Sequence, residues 1–316
     1  MPFAGGHGKV AFVTLSGILT AMVTPFDADG GLAEEPTALL VRHLLANGSD
    51  GVVLTGTTGE ASTLSDDEKA RVWDIGVEVS RAERPDAPVI AGTGSNDTRH
   101  AVALTARAAA AGVDAALVVA PYYNRPNRRG LLAHYHAVAS STDLPIVAYN
   151  IPARTGVDMS NDLLAELAEV ENIVAVKQAR AEDLAPIDGL DLLAGNDDML
   201  AAVLDLGGTG GILVASHLVG GEMRRMIDEP GERHAIEAGL LPLYDALAVA
   251  PACVTVKAAL NLLGHDVGGV RLPMVEATED ELEAIRGALA SHGLRERTDG
   301  GLAPPGRSVA PDRLEA

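Results

Sequence analysis

Eight apolar segments of strand length recur along this chain, and their starts are separated by 18 to 37 residues. The segments are 17–25, 51–56, 88–94, 115–121, 145–152, 173–179, 191–196 and 210–216. Patterns typical of helices fall between them, at 34–47, 65–83, 97–111, 129–141, 160–170, 180–188 and 197–206. Because the segments are nearly continuously apolar, they predict parallel strands that are buried on both faces of a sheet. The intervening segments are too long for hairpins and suit crossover helices.

A parallel sheet of this kind is either a closed barrel or an open, doubly wound sheet, and eight strands is the number that closes. A doubly wound sheet usually carries a glycine-rich phosphate-binding turn after its first strand. Here the first strand leads into Thr24-Pro25-Phe26-Asp27, which has no such turn. We therefore predict a (β/α)8 TIM barrel of the α/β class.

Composition along the chain predicts four regions. The barrel is expected at 16–217, preceded by an N-terminal extension at 1–15 that is rich in glycine. Further helical patterns predict a C-terminal helical region at 218–295 that packs on the barrel. Residues 296–316 are rich in Gly, Pro and charge, and their few apolar side chains predict a disordered tail.

The formal net charge of −20 argues against nucleic acid and anionic membranes as partners. A single cysteine, Cys253, excludes a disulfide framework and a cysteine-based metal site, and its apolar context predicts a small core residue. No apolar run has the roughly 18 residues that a membrane span needs, and the first residues lack the order of a signal peptide. These features predict a cytoplasmic protein.

The sixth apolar segment ends at Lys177, one of only four lysines among 24 Lys and Arg residues. Burial at the end of an apolar strand would lower the pKa of this amine. A partly neutral lysine adds to carbonyl carbons and forms a Schiff base. Pairing of Lys177 with a nearby carboxylate is the structural alternative, and the strand alone does not decide between them.

In a TIM barrel the chemistry is built where the strands end, and the strand ends of this chain carry a consistent set of side chains. Thr57 and Thr58 precede a predicted helix and could hold a small carboxylate. Tyr123 and Tyr149 offer phenols that could transfer protons. Arg154 offers a rigid fork for a second carboxylate. Each could instead be an ordinary turn, packing or surface residue, but together they suit a keto acid bound to a lysine beside a second small acid.

No cofactor is needed for such chemistry, and the histidines do not predict a metal site. His134 and His136 are two residues apart on a predicted helix and do not share a face. Lys257 is the one rival for the nucleophile. It falls in a helical pattern outside the strands, which predicts a position at the surface or an interface.

Four motifs resemble the dihydrodipicolinate synthase family of class I aldolases, over about residues 17–293. They are Gly56-Thr57-Thr58-Gly59-Glu60, Pro121-Tyr122-Tyr123-Asn124-Arg125-Pro126, Tyr149-Asn150-Ile151-Pro152-Ala153-Arg154-Thr155-Gly156 and Val176-Lys177. Arg271-Leu272-Pro273 is similar as well. The blocks with the paired tyrosines and with Arg154 are the most specific.

The resemblance implies that Lys177 forms an imine with pyruvate, and that the derived enamine attacks aspartate-β-semialdehyde on the route to diaminopimelate and lysine. Thr57, Tyr149 and Tyr123 would form a proton relay, with Tyr123 supplied across a subunit interface of a homotetramer. The resemblance further assigns Thr58 to the pyruvate carboxylate and Arg154 to the semialdehyde carboxylate.

The same resemblance places the backbone of Ile212 and the strand end at Gly195 in the substrate pocket. Two positions depart from the family pattern, since Gln178 and Asn196 stand where acidic residues are usual. Both departures should remove negative charge near Lys177 and ease its deprotonation.

A further difference concerns feedback inhibition. In members that lysine inhibits, His and Glu side chains hold the bound lysine, and the matching positions here are Asp66, Lys69 and His100. Lys69 and His100 are unfavourable neighbours for an ammonium group, so we expect weak or absent inhibition by lysine.

Two other functions stay open from the sequence. One is a sister pyruvate-dependent aldolase, such as an N-acetylneuraminate lyase or a 2-keto-3-deoxy-sugar-acid aldolase. Such lyases generally lack an arginine at the position of Arg154. The other is a non-catalytic ligand-binding paralog, against which the intact set of strand-end residues argues.

Overall fold

The structure is a computed structural model, and it describes residues 15–296. The N-terminal extension predicted for 1–15 and the tail predicted for 296–316 lie outside the described residues, apart from Leu15 and Glu296 at their edges.

Eight parallel strands form a closed barrel in chain order. They are β1 (Gly17–Ala21), β2 (Gly51–Leu54), β3 (Val89–Gly92), β4 (Ala115–Val119), β5 (Ile146–Asn150), β6 (Ile173–Gln178), β7 (Asp191–Ala194) and β8 (Gly210–Leu213). Every strand pairs with its neighbours in sequence, and β1 pairs with β8 to close the ring. The predicted TIM barrel is confirmed.

Two apolar cores follow from the alternation of side chains along these strands. The larger core lies between the strands and the surrounding helices. The smaller core fills the barrel interior, and its buried members are Leu15, Leu19, Ala21, Val53, Ile90, Ala115, Leu117, Val147, Tyr149, Ile151, Ala175, Leu193 and Ile212. On β6, Ala175 is interior, so Lys177, two residues further along the strand, projects toward the same interior.

The helices that surround the barrel are α1 (Glu34–Ala46), α2 (Asp66–Glu83), α3 (Thr98–Ala110), α4 (Arg128–Ala139), α5 (Pro152–Thr155), α6 (Asn161–Leu167), α7 (Leu200–Asp205) and α8 (Ser216–Asp228). The C-terminal helices are α9 (Arg233–Leu247), α10 (Ala252–Leu262) and α11 (Glu279–Ser291). Helix α9 packs against α8, α10 and α11. The predicted C-terminal helical extension is therefore present, while the division of the chain at 217/218 stays a prediction and falls within α8.

The helix predicted at 180–188 is wrong. The chain between β6 and β7 forms turns and one isolated bridge, between Ile187 and Leu190. Pro186 disfavours the helical conformation at the residue before it, and Asp183 adopts a left-handed conformation with φ 55°. A segment this short cannot form a stable helix around such interruptions.

Within residues 15–296, no single helix is both long enough and apolar enough to cross a membrane. The pair α9 and α10 meets the length and composition criteria only when taken together, with a bend of 106° between the two helices.

Candidate active site

Lys177 lies near the C-terminal end of β6, between Tyr149 on β5 and Leu193 on β7, which are its partners in the strand register. The residue is 5% exposed. The pKa of its amine is lowered to about 7, chiefly by burial; the carboxylate of Asp197 opposes this shift, and the positive charge of Arg154 contributes to it. An amine with this pKa is neutral in a large fraction of molecules near neutral pH, as a carbonyl nucleophile requires.

Tyr149 contacts Lys177 directly. The Lys177 Nζ atom lies 4.2 Å from the centroid of the Tyr149 ring. Burial raises the pKa of Tyr149 to about 12, and the charge of Arg154 opposes that rise. The phenol therefore keeps its proton at neutral pH and is available to donate it near the amine.

Asp197 is a site residue that the sequence analysis did not single out. It follows β7, and its Oδ1 atom accepts hydrogen bonds from the backbone N–H groups of Val214 at 2.8 Å and Ala215 at 3.1 Å. Burial raises the pKa of this carboxyl to about 6, and those two hydrogen bonds oppose the rise.

Gln178 and Asn196 replace two acidic residues of the family pattern, but a carboxylate still lies near Lys177. Asp197, next to Asn196 in the chain, supplies that charge. Gln178 accepts a hydrogen bond from the side chain of Asn150 at 3.0 Å. As the neighbour of Lys177 on a strand, Gln178 projects to the opposite face of the sheet. The expectation that these two departures ease deprotonation of Lys177, compared with members that carry acidic residues there, stays a prediction.

Thr57 and Thr58 lie in a series of turns after β2 rather than at a helix start. Helix α2 begins only at Asp66, and Ser65 with Glu68 forms a capping box at its N-terminus. The sequence-based argument that a helix N-terminus places the two threonines is therefore wrong. Thr57 is exposed, whereas Thr58 is buried.

A cavity of about 500 Å³ opens beside these residues and joins several of the predicted site residues. Its lining includes Thr57, Tyr149 and Arg154, and Arg154 is carried by the short helix α5 directly after β5. The polar side chains in this lining, such as those of Thr57 and Arg154, suit a small molecule with charged groups.

The other predicted catalytic and substrate-binding residues are not part of the lining of this cavity; they are Lys177, Thr58, Ile212, Gly195 and Tyr123. Ile212 is fully buried in the barrel interior. Gly195 is packed so closely that an added Cβ would lie 2.7 Å from the Cβ of Ala179. Tyr123 is 88% exposed and has a left-handed φ of 71°, while its neighbour Tyr122 lines the cavity. A single subunit therefore does not place Tyr123 at Lys177.

Asp66, Lys69 and His100 line the same cavity. The Nε2 atom of His100 lies 3.0 Å from Asp66 Oδ2, and Lys69 Nζ lies 3.7 Å from Asp66 Oδ1. One carboxylate thus lies beside two groups that carry or can carry positive charge.

Lys257 is neither at the surface nor at an interface of this subunit, because it is buried in an ion pair with Glu60. Its ammonium is therefore already paired, which removes it as a rival to Lys177. Cys253 is buried as predicted. In the described part of the chain, no three His, Cys, Asp or Glu side chains are grouped so that they could hold a metal ion.

The chain matches the model of the "Dihydrodipicolinate synthetase family" over residues 14–292. It is 42% identical over 290 residues to the 4-hydroxy-tetrahydrodipicolinate synthase of Thermosynechococcus vestitus, covering 88% of this chain and 97% of the relative. It is 43% identical over 291 residues to the enzyme of that name from Moorella thermoacetica, covering 88% and 98%.

Solved structures show the same similarity. The lysine-bound dihydrodipicolinate synthase of Cyanidioschyzon merolae is similar with a TM-score of 0.85 and 37% identity, covering 88% of this chain and 98% of that one. The pyruvate complex of the enzyme from Acinetobacter baumannii has a TM-score of 0.84 and 36% identity, covering 89% and 100%.

Proposed function

This chain belongs to the dihydrodipicolinate synthetase family, and we propose from that premise that it is a 4-hydroxy-tetrahydrodipicolinate synthase. Its substrates would be pyruvate and aspartate-β-semialdehyde. The observation that carries the proposal is the buried amine of Lys177, whose pKa is lowered to about 7 beside the phenol of Tyr149. Curated relatives that are about two-fifths identical to this chain are named for this activity.

The first step is addition of the neutral Lys177 amine to the keto carbon of pyruvate. The oxygen of that carbonyl leaves as water after it gains protons, and an imine links Nζ to the carbon. The phenol of Tyr149 donates and recovers protons in these steps, and the contact of its ring with Nζ supports this role. Loss of a proton from the methyl carbon then gives the enamine.

The second step forms a carbon–carbon bond between the enamine and the aldehyde carbon of the semialdehyde. The aldehyde oxygen takes up a proton, and the imine with Lys177 is restored. The amino group of the semialdehyde then adds to the imine carbon and displaces the lysine, so that a cyclic product leaves and the amine is regenerated. No cofactor takes part in these steps.

We assign the carboxylates of the two substrates to different residues. The loop with Thr57 and Thr58 holds the carboxylate of pyruvate, and the backbone near Gly195 and Ile212 completes that pocket. Arg154 binds the carboxylate of the semialdehyde, and its place in the cavity lining with Tyr149 supports this role.

The enzyme is proposed to act as a homotetramer, with Tyr123 reaching the site of a neighbouring subunit. The exposed, left-handed conformation of Tyr123 supports this arrangement. Leu272 and Val275 are also exposed, at 78% and 66%, near the cavity-lining residues Pro273 and Met274. A cytoplasmic location is proposed as well, and the biosynthetic role of the relatives supports it.

The choice of aldehyde is tested with wild type and Arg154→Gln. Wild type with pyruvate should consume aspartate-β-semialdehyde and leave N-acetylmannosamine and glyceraldehyde unchanged. Loss of the guanidinium fork should raise the KM for the semialdehyde about tenfold to a hundredfold, because a charge-assisted bidentate contact is lost. Turnover of a sugar aldehyde in place of the semialdehyde would instead identify a sister aldolase.

Lysine is proposed to inhibit this enzyme weakly or not at all. The ammonium of Lys69 and the ring of His100 line the cavity and both contact the carboxylate of Asp66. The ammonium of a lysine inhibitor could therefore not pair with this carboxylate without competing with them. Initial rates measured across a lysine series should stay level, and a substantial drop below millimolar lysine would contradict this.

A further inference from the structure

A buried ion pair joins the C-terminal helices to the loop that follows β2. The Nζ atom of Lys257, in α10, donates to Glu60 Oε1 at 2.7 Å, and both side chains are 2% exposed. The other carboxylate oxygen, Oε2, accepts from the backbone N–H of Arg271 at 2.9 Å. Both oxygens of this buried carboxylate are therefore held by residues of the C-terminal region.

Lys257 has further partners that fix its position. Its Nζ donates to the carbonyl oxygen of Gly269 at 2.6 Å and lies 4.0 Å from the centroid of the Phe26 ring. Burial lowers the pKa of this amine, and the hydrogen bond with Glu60 opposes that shift. The amine is thus built into a defined arrangement of acceptors rather than left free to react.

Arg271 extends the same arrangement to two more segments. Its guanidinium donates to the carbonyl oxygen of Gly30 at 2.8 Å, to that of Thr63 at 2.9 Å, and to Glu68 Oε1 at 2.5 Å. The hydrogen bond from Arg271 lowers the pKa of Glu68 to about 2. One side chain therefore connects the loops after β1 and β2 with the first turn of α2.

Glu60 is also the residue that closes the turn bearing Thr57 and Thr58. Its backbone N–H donates to the carbonyl oxygen of Thr57 at 3.1 Å, and its own carbonyl oxygen accepts from Thr63 N–H at 3.0 Å. Its φ of 55° lies in the left-handed region, which is unfavourable for a residue with a side chain. Such a conformation persists only where surrounding contacts enforce it.

Burying an ion pair costs the desolvation free energy of both charges, and apolar residues of similar volume often stabilise a fold at least as well. What the pair supplies is a fixed geometry. We propose that Glu60 and Lys257 are positioning residues that hold loop 55–64 in the shape in which Thr57 and Thr58 bind the carboxylate of the keto acid. The C-terminal helices thereby take part in substrate binding. This rests on the proposed function of the site.

The test measures sodium borohydride trapping of pyruvate at Lys177 as a function of pyruvate concentration, together with the thermal midpoint. The variants are Glu60→Gln, which removes the charge, and the double variant Glu60→Gln/Lys257→Met, which removes both charges. Glu60→Asp serves as a second single variant, because it keeps the charge but shortens the reach by one methylene. The control is Arg233→Met, which breaks the ion pair between Arg233 and Asp205 (2.5 Å) away from the cavity.

Glu60→Gln and Glu60→Asp should raise the half-saturating pyruvate concentration about tenfold, with the maximal trapping rate nearly unchanged, because the loop is displaced while the amine is intact. The double variant should recover thermal stability, since no unpaired charge stays buried, but should keep the raised half-saturation. Arg233→Met should lower the thermal midpoint and leave half-saturation at the wild-type value.

Wild-type half-saturation in the single variants would overturn the inference, as would a double variant that recovers half-saturation together with stability. In either case trapping of pyruvate by wild type shows that the Schiff-base step of the proposed function stands. Failure of wild type to trap pyruvate would instead overturn the proposed function, and the inference with it.

Discussion

Asp197 contributes the carboxylate charge that opposes the lowered pKa of Lys177. It is held in place by backbone N–H groups at the end of β8, so two neighbouring strand ends cooperate at one residue. The pKa of Lys177 is therefore a balance: burial and the charge of Arg154 favour the neutral amine, and the carboxylate of Asp197 favours the ammonium.

Replacing Asp197 with Asn should shift the pH dependence of trapping to lower pH. Both backbone hydrogen bonds can be kept, because each donor already reaches Oδ1. Loss of the negative charge lowers the pKa of Lys177, so the rise of the trapping rate, centred near pH 7 in wild type, should move down by about one pH unit. The rate is measured from pH 5 to 9 at saturating pyruvate.

Asp198→Asn is the matched control, because this neighbouring carboxylate is exposed and screened by water. Its profile should coincide with that of wild type. An unchanged or upward-shifted midpoint in Asp197→Asn would show that Asp197 does not control the amine.

The sequence was sufficient to predict Lys177 and Tyr149 together, because both fall near the ends of apolar segments, and the structure brings the two side chains into contact. It was not sufficient for Asp197. That residue lies beyond the end of β7, and its orientation is set by amides directly after β8, which are distant in sequence. Glu60 and Lys257 were missed as a pair for the same reason, since 197 positions separate them.

The closure of the barrel depends on glycine where β1 meets β8. Gly17 and Gly210 are directly paired in the register. A Cβ on Gly210 would lie 2.1 Å from the carbonyl oxygen of Gly17, and its φ of 148° is a conformation that other residues rarely adopt. Neither backbone can move away without breaking the ladder between these strands.

Gly210→Ala should therefore lower the free energy of unfolding by about 3 kcal/mol, through overpacking against backbone. Gly221→Ala is the control, because this glycine lies exposed in α8 with open space around its Cα. There the change should raise the free energy of unfolding by about 0.5–1 kcal/mol, as helix propensity predicts. Denaturant titration measures both values, and equal stability of the two variants would contradict the role of the glycine pair.

At the level of elements, the strands were predictable because each is a short, fully apolar run between turn residues. The failure at 180–188 has a local cause. The segment has a pattern typical of a helix, but Pro186 and the left-handed Asp183 interrupt it. The short helix α5, which carries Arg154, was not predicted, because one helical turn has no detectable period.

The whole molecule must be an oligomer if Tyr123 acts in catalysis, because its own subunit leaves that side chain exposed. Mixing two inactive variants tests this. Subunits with Tyr123→Phe and subunits with Lys177→Ala should each have little activity alone. In mixed dimers, one site combines an intact Lys177 with an intact Tyr123 from the partner.

Denaturing and refolding an equal mixture should therefore restore about a quarter of the wild-type activity, since half of the dimers are mixed and each has one complete site. Mixing two preparations of the same variant is the control and should restore none. Absence of recovery in the mixed sample, with normal assembly shown by sedimentation, would contradict a role of Tyr123 across the interface.

The central claim is that the buried amine of Lys177 condenses with a keto acid, and reductive trapping tests it most directly. Wild type is incubated with pyruvate and sodium borohydride at pH 7.5, digested, and mapped by mass spectrometry. The account predicts a single pyruvate adduct, located on the peptide with Lys177 and absent in Lys177→Arg. An adduct on Lys69 or Lys257 instead, or no pyruvate-dependent adduct at all, would contradict it.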